Sequence, residues 1–413
     1  MKNRAFLHAA IVSGFLAVAA GAVTAQDWPQ WRGANGDAKV EGFKAPKTWP
    51  SALTAKWKVA VGLGDSTPAL VGDRLFVFSR VETEENVICL NAADGREIWR
   101  KKYEAPRVSG PAAPEHPGPR CSPAVAHGKV VTIGVTGTLT CWKAADGTQL
   151  WQKTGYKTWP MFYTSSSPLI VDGMCIAQFG GPSDGGVAAY DLESGDEKWR
   201  WTGAGPGYGS PVIMNVAGTK TLAVITDKSV VGIILADGKL AWQIPFTQRG
   251  VTDCAVSPIV DGDTLFYAGS GRGMHAVKVA KQDGAFTAKE LWAETEVSPQ
   301  FNTPVLKDGF LYGLSSRSTF FCVNARTGAV AWNEPDNKGQ PTGYGSVLDA
   351  GSVLLALTPK SQLYVIQPGD KAYTELASVK VADSAAYAYP VISGNRIFIR
   401  DLDSVALLIL DQP

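Results

Sequence analysis

The chain has 413 residues, 45% of them hydrophobic and 19% charged, with 44 Gly, 25 Pro and 13 Trp. That apolar share excludes a disordered chain, and so low a charge content argues against a coiled coil. Lys and Arg number 39 against 38 Asp and Glu, a formal charge of +1 that leaves no whole-chain basic footprint for nucleic acid or anionic membranes.

Residues 1–25 read as a secretory signal peptide. Lys2 and Arg4 precede an apolar run from Phe6 to Val23, and Val23-Thr24-Ala25 is a small-residue cleavage site. No Cys stands near it to carry a lipid, and no second apolar run is long enough to span a bilayer. The expected mature protein is periplasmic or secreted and does not span the membrane. Residues 26–52 form a leader segment, and residues 53–413 form the repeat domain.

A Ser/Thr-Pro pair followed by aliphatics recurs at Thr67, Ser122, Ser167, Ser210, Ser257 and Thr303, with degenerate copies at Ser346 and Tyr389. From Pro68 to Pro390 is 322 residues in seven steps, about 46 per step, a period that belongs to propeller blades. Within each unit, short apolar runs alternate with Asp-Gly or Gly-Asp turns, as antiparallel hairpins require. Units close with Gly and, four residues later, Trp: Gly95/Trp99, Gly147/Trp151, Gly195/Trp199, Gly238/Trp242 and Gly328/Trp332. Unit five stretches this to Gly284/Trp292, and unit seven lacks the Trp. These periodic indoles are structural docking residues between neighbouring blades.

Seven complete units run from Ser66 to Val381, and three further strands end the chain. Their missing fourth strand is supplied by Leu53 to Val59, which carries Trp57 without strands of its own before it. The expected fold is all-β: an eight-bladed β-propeller of four-stranded antiparallel blades, closed by pairing of the N- and C-terminal strands. Cys89, Cys141 and Cys322 share one repeat position with Ala189, Ile233 and Ala276, so they are core residues too far apart to bond. Export would permit one disulfide among Cys121, Cys175 and Cys254.

The pattern Asn91-Ala-Ala-Asp-Gly-Arg-Glu-Ile-Trp99, repeated from Asn324 to Trp332, resembles the tryptophan-docking repeat of the pyrroloquinoline quinone (PQQ) propeller family. The resemblance extends from Trp57 to Leu410. The segment from Asp27 to Gly33 resembles the leader that precedes such propellers in many exported bacterial proteins. The family includes dehydrogenases that use PQQ and usually Ca²⁺, and non-catalytic members such as the lipoprotein propeller of the outer-membrane β-barrel assembly machine. The chain departs from both branches. It lacks the adjacent Cys pair common over the quinone, and it lacks a lipid-bearing Cys.

In a propeller, the connections entering each innermost strand and the turns between second and third strands share one face, the top. There the register places Tyr163, Tyr208, Phe301 and Tyr344 as stacking residues, beside Trp159, Phe162, Tyr387 and Tyr389, and the same loops carry His116, Arg120, Arg249 and Asp253. The same aromatics would also serve to cap the channel. Lys228, Arg272, Arg317 and Lys360 occupy equivalent turns of units four to seven, an arc of cations suited to an anionic ligand. A polar turn residue would satisfy those positions too. The corresponding residues of units one, two, three and eight are Glu85, Thr136, Gly185 and Asp403. Only 4 His occur, one inside the signal, so no His-rich metal cluster is expected.

These observations lead to an exported, non-catalytic binding or scaffold propeller, expected to be monomeric. It would recognise a protein or an anionic small molecule, acidic peptide or charged glycan on its top face. No cofactor is expected. The alternative is a PQQ- and calcium-dependent quinoprotein oxidoreductase of reduced size, with Asp253 and Arg249 as its acid-base candidates.

Overall fold

Each Asp-Gly or Gly-Asp pair turns the chain, and the apolar runs between turns are just long enough to cross a sheet once. The computed structural model describes residues 26–246, 255–334, 336 and 343–410. The expected signal peptide, Arg249, Asp253 and Cys254 lie outside them. The strands form eight four-stranded antiparallel sheets arranged as a ring. Within a blade, strands a to d run outward from the axis; blade one is Ala69–Val71, Arg74–Val81, Glu84–Asn91 and Glu97–Glu104. Blade eight takes a to c from Val391–Ser393, Arg396–Arg400 and Ser404–Ile409, and d from Thr54–Ala60. The register of that last pair runs Thr54↔Ile409 to Ala60↔Ser404, so the two ends of the domain close the ring. Buried Arg400 adds a second tie between blades eight and one, donating to the carbonyls of Gly64 (2.7 Å), Phe78 (2.9 Å) and Gly62 (3.2 Å). The one helical element among the described residues is a 3-10 turn at Gly110–Ala112.

The Gly/Trp motif joins blades. Every c–d pair carries a β-bulge beside the docking position, which re-aims the d-strand side chain toward the next blade. There the indole face lies on the Gly of the next c–d turn, and the indole N–H donates to a turn carbonyl. Trp99 bonds the Ala144 carbonyl at 3.1 Å, Trp151 that of Leu192 at 3.0 Å, Trp199 that of Leu235 at 2.8 Å and Trp292 that of Ala325 at 2.9 Å. Trp57 does the same with Gly95 and the Ala92 carbonyl, whereas Trp332 donates to the Gly369 carbonyl at 2.8 Å but meets Tyr373 edge-on in place of a glycine. The exception follows from the stretched motif. Blade five lengthens strands c and d to Gly273–Gln282 and Ala285–Glu294, which carries Gly284 away from its neighbour, and the buried Trp242 N–H has no acceptor. In blade seven the docking position is Ala377, and the leader's Trp49 lines the groove beside it.

Register corrects one sequence reading. The residue opposite Trp242 is Gly232, not Ile233, and a Cβ there would lie 2.1 Å from the indole. Cys89, Cys121, Cys141, Cys175 and Cys322 are free and buried, so Cys121 and Cys175 do not pair with each other.

Two further devices organise the axis. The Ser/Thr of the Ser/Thr-Pro motif accepts the backbone N–H of its counterpart in the preceding blade: Thr67 to Ser122 at 3.2 Å, then Ser122 to Ser167, Ser167 to Ser210, Ser210 to Ser257 and Ser257 to Thr303, each at 2.9 Å. Tyr389 donates likewise to Thr67 at 2.9 Å. The leader then crosses the channel. Trp28 pairs with Leu70, Trp31 donates to the Ser257 hydroxyl at 3.2 Å, and Arg32 enters the axis. All five guanidinium donors are used, on the carbonyls of Thr303 (2.7 Å), Pro304 (2.9 Å), Gly36 and Asp37 and on the Tyr389 hydroxyl (2.9 Å).

Docking makes a prediction. In Gly195→Ala the new Cβ would sit 2.7 Å from the Trp151 ring at a φ of +76°, whereas Gly284→Ala at φ +82° meets open space. Overpacking costs about 1–3 kcal/mol and the left-handed conformation about 1–2. Denaturant unfolding should show Gly195→Ala to be the more damaging by about 1–3 kcal/mol. Equal losses would remove the docking account.

Candidate functional site

The top face collects one connection from each blade boundary. Together they wall a cavity of about 260 Å³ on the axis, with the leader's Trp31 as part of its floor. The connection from blade one to blade two, residues 105–123, supplies Glu115, His116 and Arg120; Asp65 comes from the segment entering blade one. Phe162, Tyr208, Phe301, Tyr344, Tyr387 and Tyr389 complete an aromatic lining. The rings pack on one another: Phe301 and Tyr344 stack at 4.3 Å and 11°, and Tyr387 meets Tyr344 edge-on at 5.2 Å. His116 lies 4.7 Å from Tyr387 and 5.4 Å from Tyr344.

The polar groups are held as well. His116 Nδ1 and Asp65 Oδ2 are 2.7 Å apart, both nearly buried. Arg120 donates to the carbonyls of Phe162 (2.6 Å) and His116 (2.7 Å), which fixes the connection over the cavity. Burial pulls the Arg120 guanidinium below its ordinary value, and the nearby Asp65 carboxylate opposes this. Burial pushes the Tyr344 and Tyr387 phenols up, reinforced by Asp65 and Glu115, so both remain protonated donors. The cavity hydroxyls serve the scaffold. Ser210 and Ser257 accept neighbouring N–H groups, and Ser165 donates to the Tyr208 carbonyl at 3.1 Å. Among the described residues no hydroxyl is bonded to His116, so no nucleophile-base pair is assembled.

Three of the expected stacking residues, Tyr208, Phe301 and Tyr344, therefore converge. Tyr163 is buried outside the lining, stacked on Trp159 at 5.9 Å, with its phenol bonded to the Ser109 backbone and hydroxyl. None of the four cations lines the cavity. Lys228, Arg317 and Lys360 are exposed in b–c turns, and Arg272 lies over the Phe246 ring at 4.9 Å. His116, Arg120 and Tyr387, expected in the entering loops, also line the cavity, and Asp65 joins them without having been read from the sequence. Asp65 carries no repeated motif, and the connection that holds His116 and Arg120, residues 105–123, is somewhat longer than the next longest, 154–168.

Glu85 is no turn residue. It lies in strand c of blade one, fully buried, accepting from the Val135 N–H at 2.9 Å and the Tyr103 hydroxyl at 2.6 Å, with Arg80 at 3.6 Å. Burial pushes its carboxyl above the ordinary 4.5, against the pull of those partners. The folded state then binds this proton more tightly than the unfolded chain, so stability falls as pH rises from 4.5 through the folded value. In Glu85→Gln the drop in Tm between about pH 5 and about pH 8 should be smaller than in the wild type. An equal drop would show that Glu85 titrates alike in both states.

The PQQ family implies a calcium-held quinone, and the cavity can be tested for it. Calcium takes 6–8 oxygens in roughly that number. Among the described residues the carboxylates here are Asp65, committed to His116, and Glu115; the Asn302 amide is bonded to Leu314 and Gly343. Among the described residues no group of three or more His, Cys, Asp or Glu could hold a metal. Among the described residues the donor set does not fit a calcium-held quinone.

Comparisons agree with the architecture. The family model described as outer membrane protein assembly factor BamB matches residues 47–117 and 112–334. No curated protein matches the sequence. BamB from Moraxella catarrhalis is 14% identical, with 87% of this chain aligned to 100% of that one at a TM-score of 0.64. Quinohemoprotein alcohol dehydrogenase from Comamonas testosteroni is also 14% identical, with coverages of 94% and 81% and a TM-score of 0.67. The computationally designed protein Ika8 shares 9% identity over 87% of this chain and 100% of its own, with a TM-score of 0.58. At these identities the structures share the fold alone. The family match covers well over half of the chain, and the protein belongs to the PQQ-like β-propeller family described as outer membrane protein assembly factor BamB.

Proposed function

We propose that this protein is an exported, non-catalytic recognition propeller that binds an acidic peptide segment of a partner on its top face. The observation that carries the reading is the axial cavity: it is walled by aromatic rings, and its Asp65–His116 and Arg120 groups are already engaged in holding its own connections. Such a site binds by shape and stacking rather than by turning over a substrate. The signal-like sequence of residues 1–25 supports export. The matched family's description, an assembly factor, supports a protein partner.

Placement of the cations narrows the ligand class. A small anion confined to about 260 Å³ would meet Arg120 but none of the four outer cations. A peptide that seats an apolar or aromatic side chain in the cavity and continues over blades four to seven would meet Lys228, Arg317 and Lys360 in their exposed turns. Exposed charges of this kind steer and select more than they stabilise. The carboxylate of exposed Glu115, at the cavity, works against an acidic ligand.

Changing Lys228, Arg272, Arg317 and Lys360 together to Gln should weaken a fluorescent Glu- and Phe-containing peptide by about tenfold at low salt. The salt dependence should largely vanish and the Tm stay nearly unchanged. Tyr344→Ala should weaken binding at every salt concentration, and Glu115→Gln should tighten it. Equal affinity in the quadruple variant and the wild type would remove the cationic arc from the reading.

A further inference from the structure

The residue three places after each Ser/Thr of the repeat turns its backbone toward the channel. In blades one, two and seven these residues are Leu70, Val125 and Asp349, and the leader satisfies each. Leu70 exchanges bonds of 2.9 and 2.7 Å with Trp28, Val125 donates to the Pro29 carbonyl at 2.8 Å, and Asp349 donates to Ala38 at 2.9 Å and accepts from Val40 at 2.8 Å. The matching residues of blades three, four and five are Ile170, Ile213 and Val260. Among the described residues none of the three has a backbone partner on its channel side. All three line a second cavity of about 460 Å³ below Trp31.

The chemistry of that cavity is that of an open sheet edge. Leu169, Val171, Val212 and Ile259 flank the three positions with half-buried apolar side chains. Arg32 is the one cation among the described lining residues, and its five donors are already engaged, so no charge is left to draw an anion. The one carboxylate there, Asp37, disfavours an acidic ligand. Unpaired N–H and C=O groups between apolar side chains call for another peptide backbone.

We propose that the lower half of the channel is a second binding site, which takes an uncharged, extended peptide segment of a partner protein by backbone pairing with Ile170, Ile213 and Val260. The leader displays the mode of binding within the same molecule: Trp28 pairs on blade one and Pro29 on blade two, one residue to each blade. An incoming segment continues that path onto blades three to five. Trp31 and Arg32 stand between this site and the top cavity, so the proposal does not rest on the top-face reading.

Amide hydrogen exchange on the full protein gives the first test. The Ile170, Ile213 and Val260 amides should exchange at least about 100-fold faster than those of Leu70, Val125 and Asp349. The probe is acetyl-Thr-Val-Thr-Val-Thr-amide, which should slow the fast set; the same peptide N-methylated at alternate residues should not. Ile213→Pro removes one donor that faces away from the ladder and should weaken the probe at least about fivefold. Ile213→Trp, which fills the cavity, provides the same readout should the proline variant misfold, and Tyr344→Ala should leave probe binding intact. Equal exchange in the two sets, no protection by the probe at about millimolar concentration, or equal protection by the N-methylated peptide would each overturn the proposal.

Discussion

The hydroxyl-to-amide bond between successive inner strands sets the geometry on which the rest of the molecule depends. A strand at the centre of a propeller is short and has no sheet partner on its axial side, so neighbouring blades must be joined there by other means. Here a Ser or Thr hydroxyl accepts the N–H of the preceding blade, and the following Pro spends no donor of its own. The chain of bonds runs from blade eight through blade one to blade six and omits blade seven, where the buried Ser346 hydroxyl has no partner. The leader spans that interruption. Arg32 joins the Thr303 and Pro304 carbonyls of blade six to the Tyr389 hydroxyl of blade eight, and Ala38 and Val40 pair with blade seven. The leader is therefore part of the closure of the ring.

That closure determines where ligands can go. The crossing leader divides the channel into an upper cavity that presents rings and a lower one that presents sheet edge. The upper cavity is preformed, since its rings are stacked, Asp65 and His116 are paired and Arg120 is bonded to backbone carbonyls, and preorganisation of this kind favours affinity over flexibility. The outer rim is governed by a different rule. There the indoles dock onto glycines, and the site tolerates no added carbon, as the 2.7 Å approaches at Gly147, Gly195, Gly238 and Gly328 show.

Periodicity made the fold legible in the sequence. The repeat of Ser/Thr-Pro and of Gly-x-x-x-Trp is imposed by contacts that recur identically in each blade, so eight blades and the shared last one could be counted from residue types alone. Even the irregularities were visible: the stretched Gly284/Trp292 spacing is the reason Trp242 has no acceptor. What could not be read was any contact made once. Arg32 on the axis, Asp65 beside His116, and Trp49 beside Ala377 join segments far apart in the chain and leave no period. The aromatic register found Tyr208, Phe301 and Tyr344, yet Tyr163 belongs to a connection that folds on itself. Glu85 was misread because blade one extends its b and c strands, which moves the turn beyond it.

The proposed recognition function and a quinone-dependent one make different demands on the donor set of the upper cavity. Among the described residues its lining holds two carboxylates, Asp65 and Glu115, and many rings. The decisive measurement is a calorimetric and absorbance titration of the purified mature protein with PQQ, with and without Ca²⁺. The account predicts no saturable, calcium-dependent binding. One-to-one binding that requires Ca²⁺ would contradict it and make the protein a quinoprotein oxidoreductase.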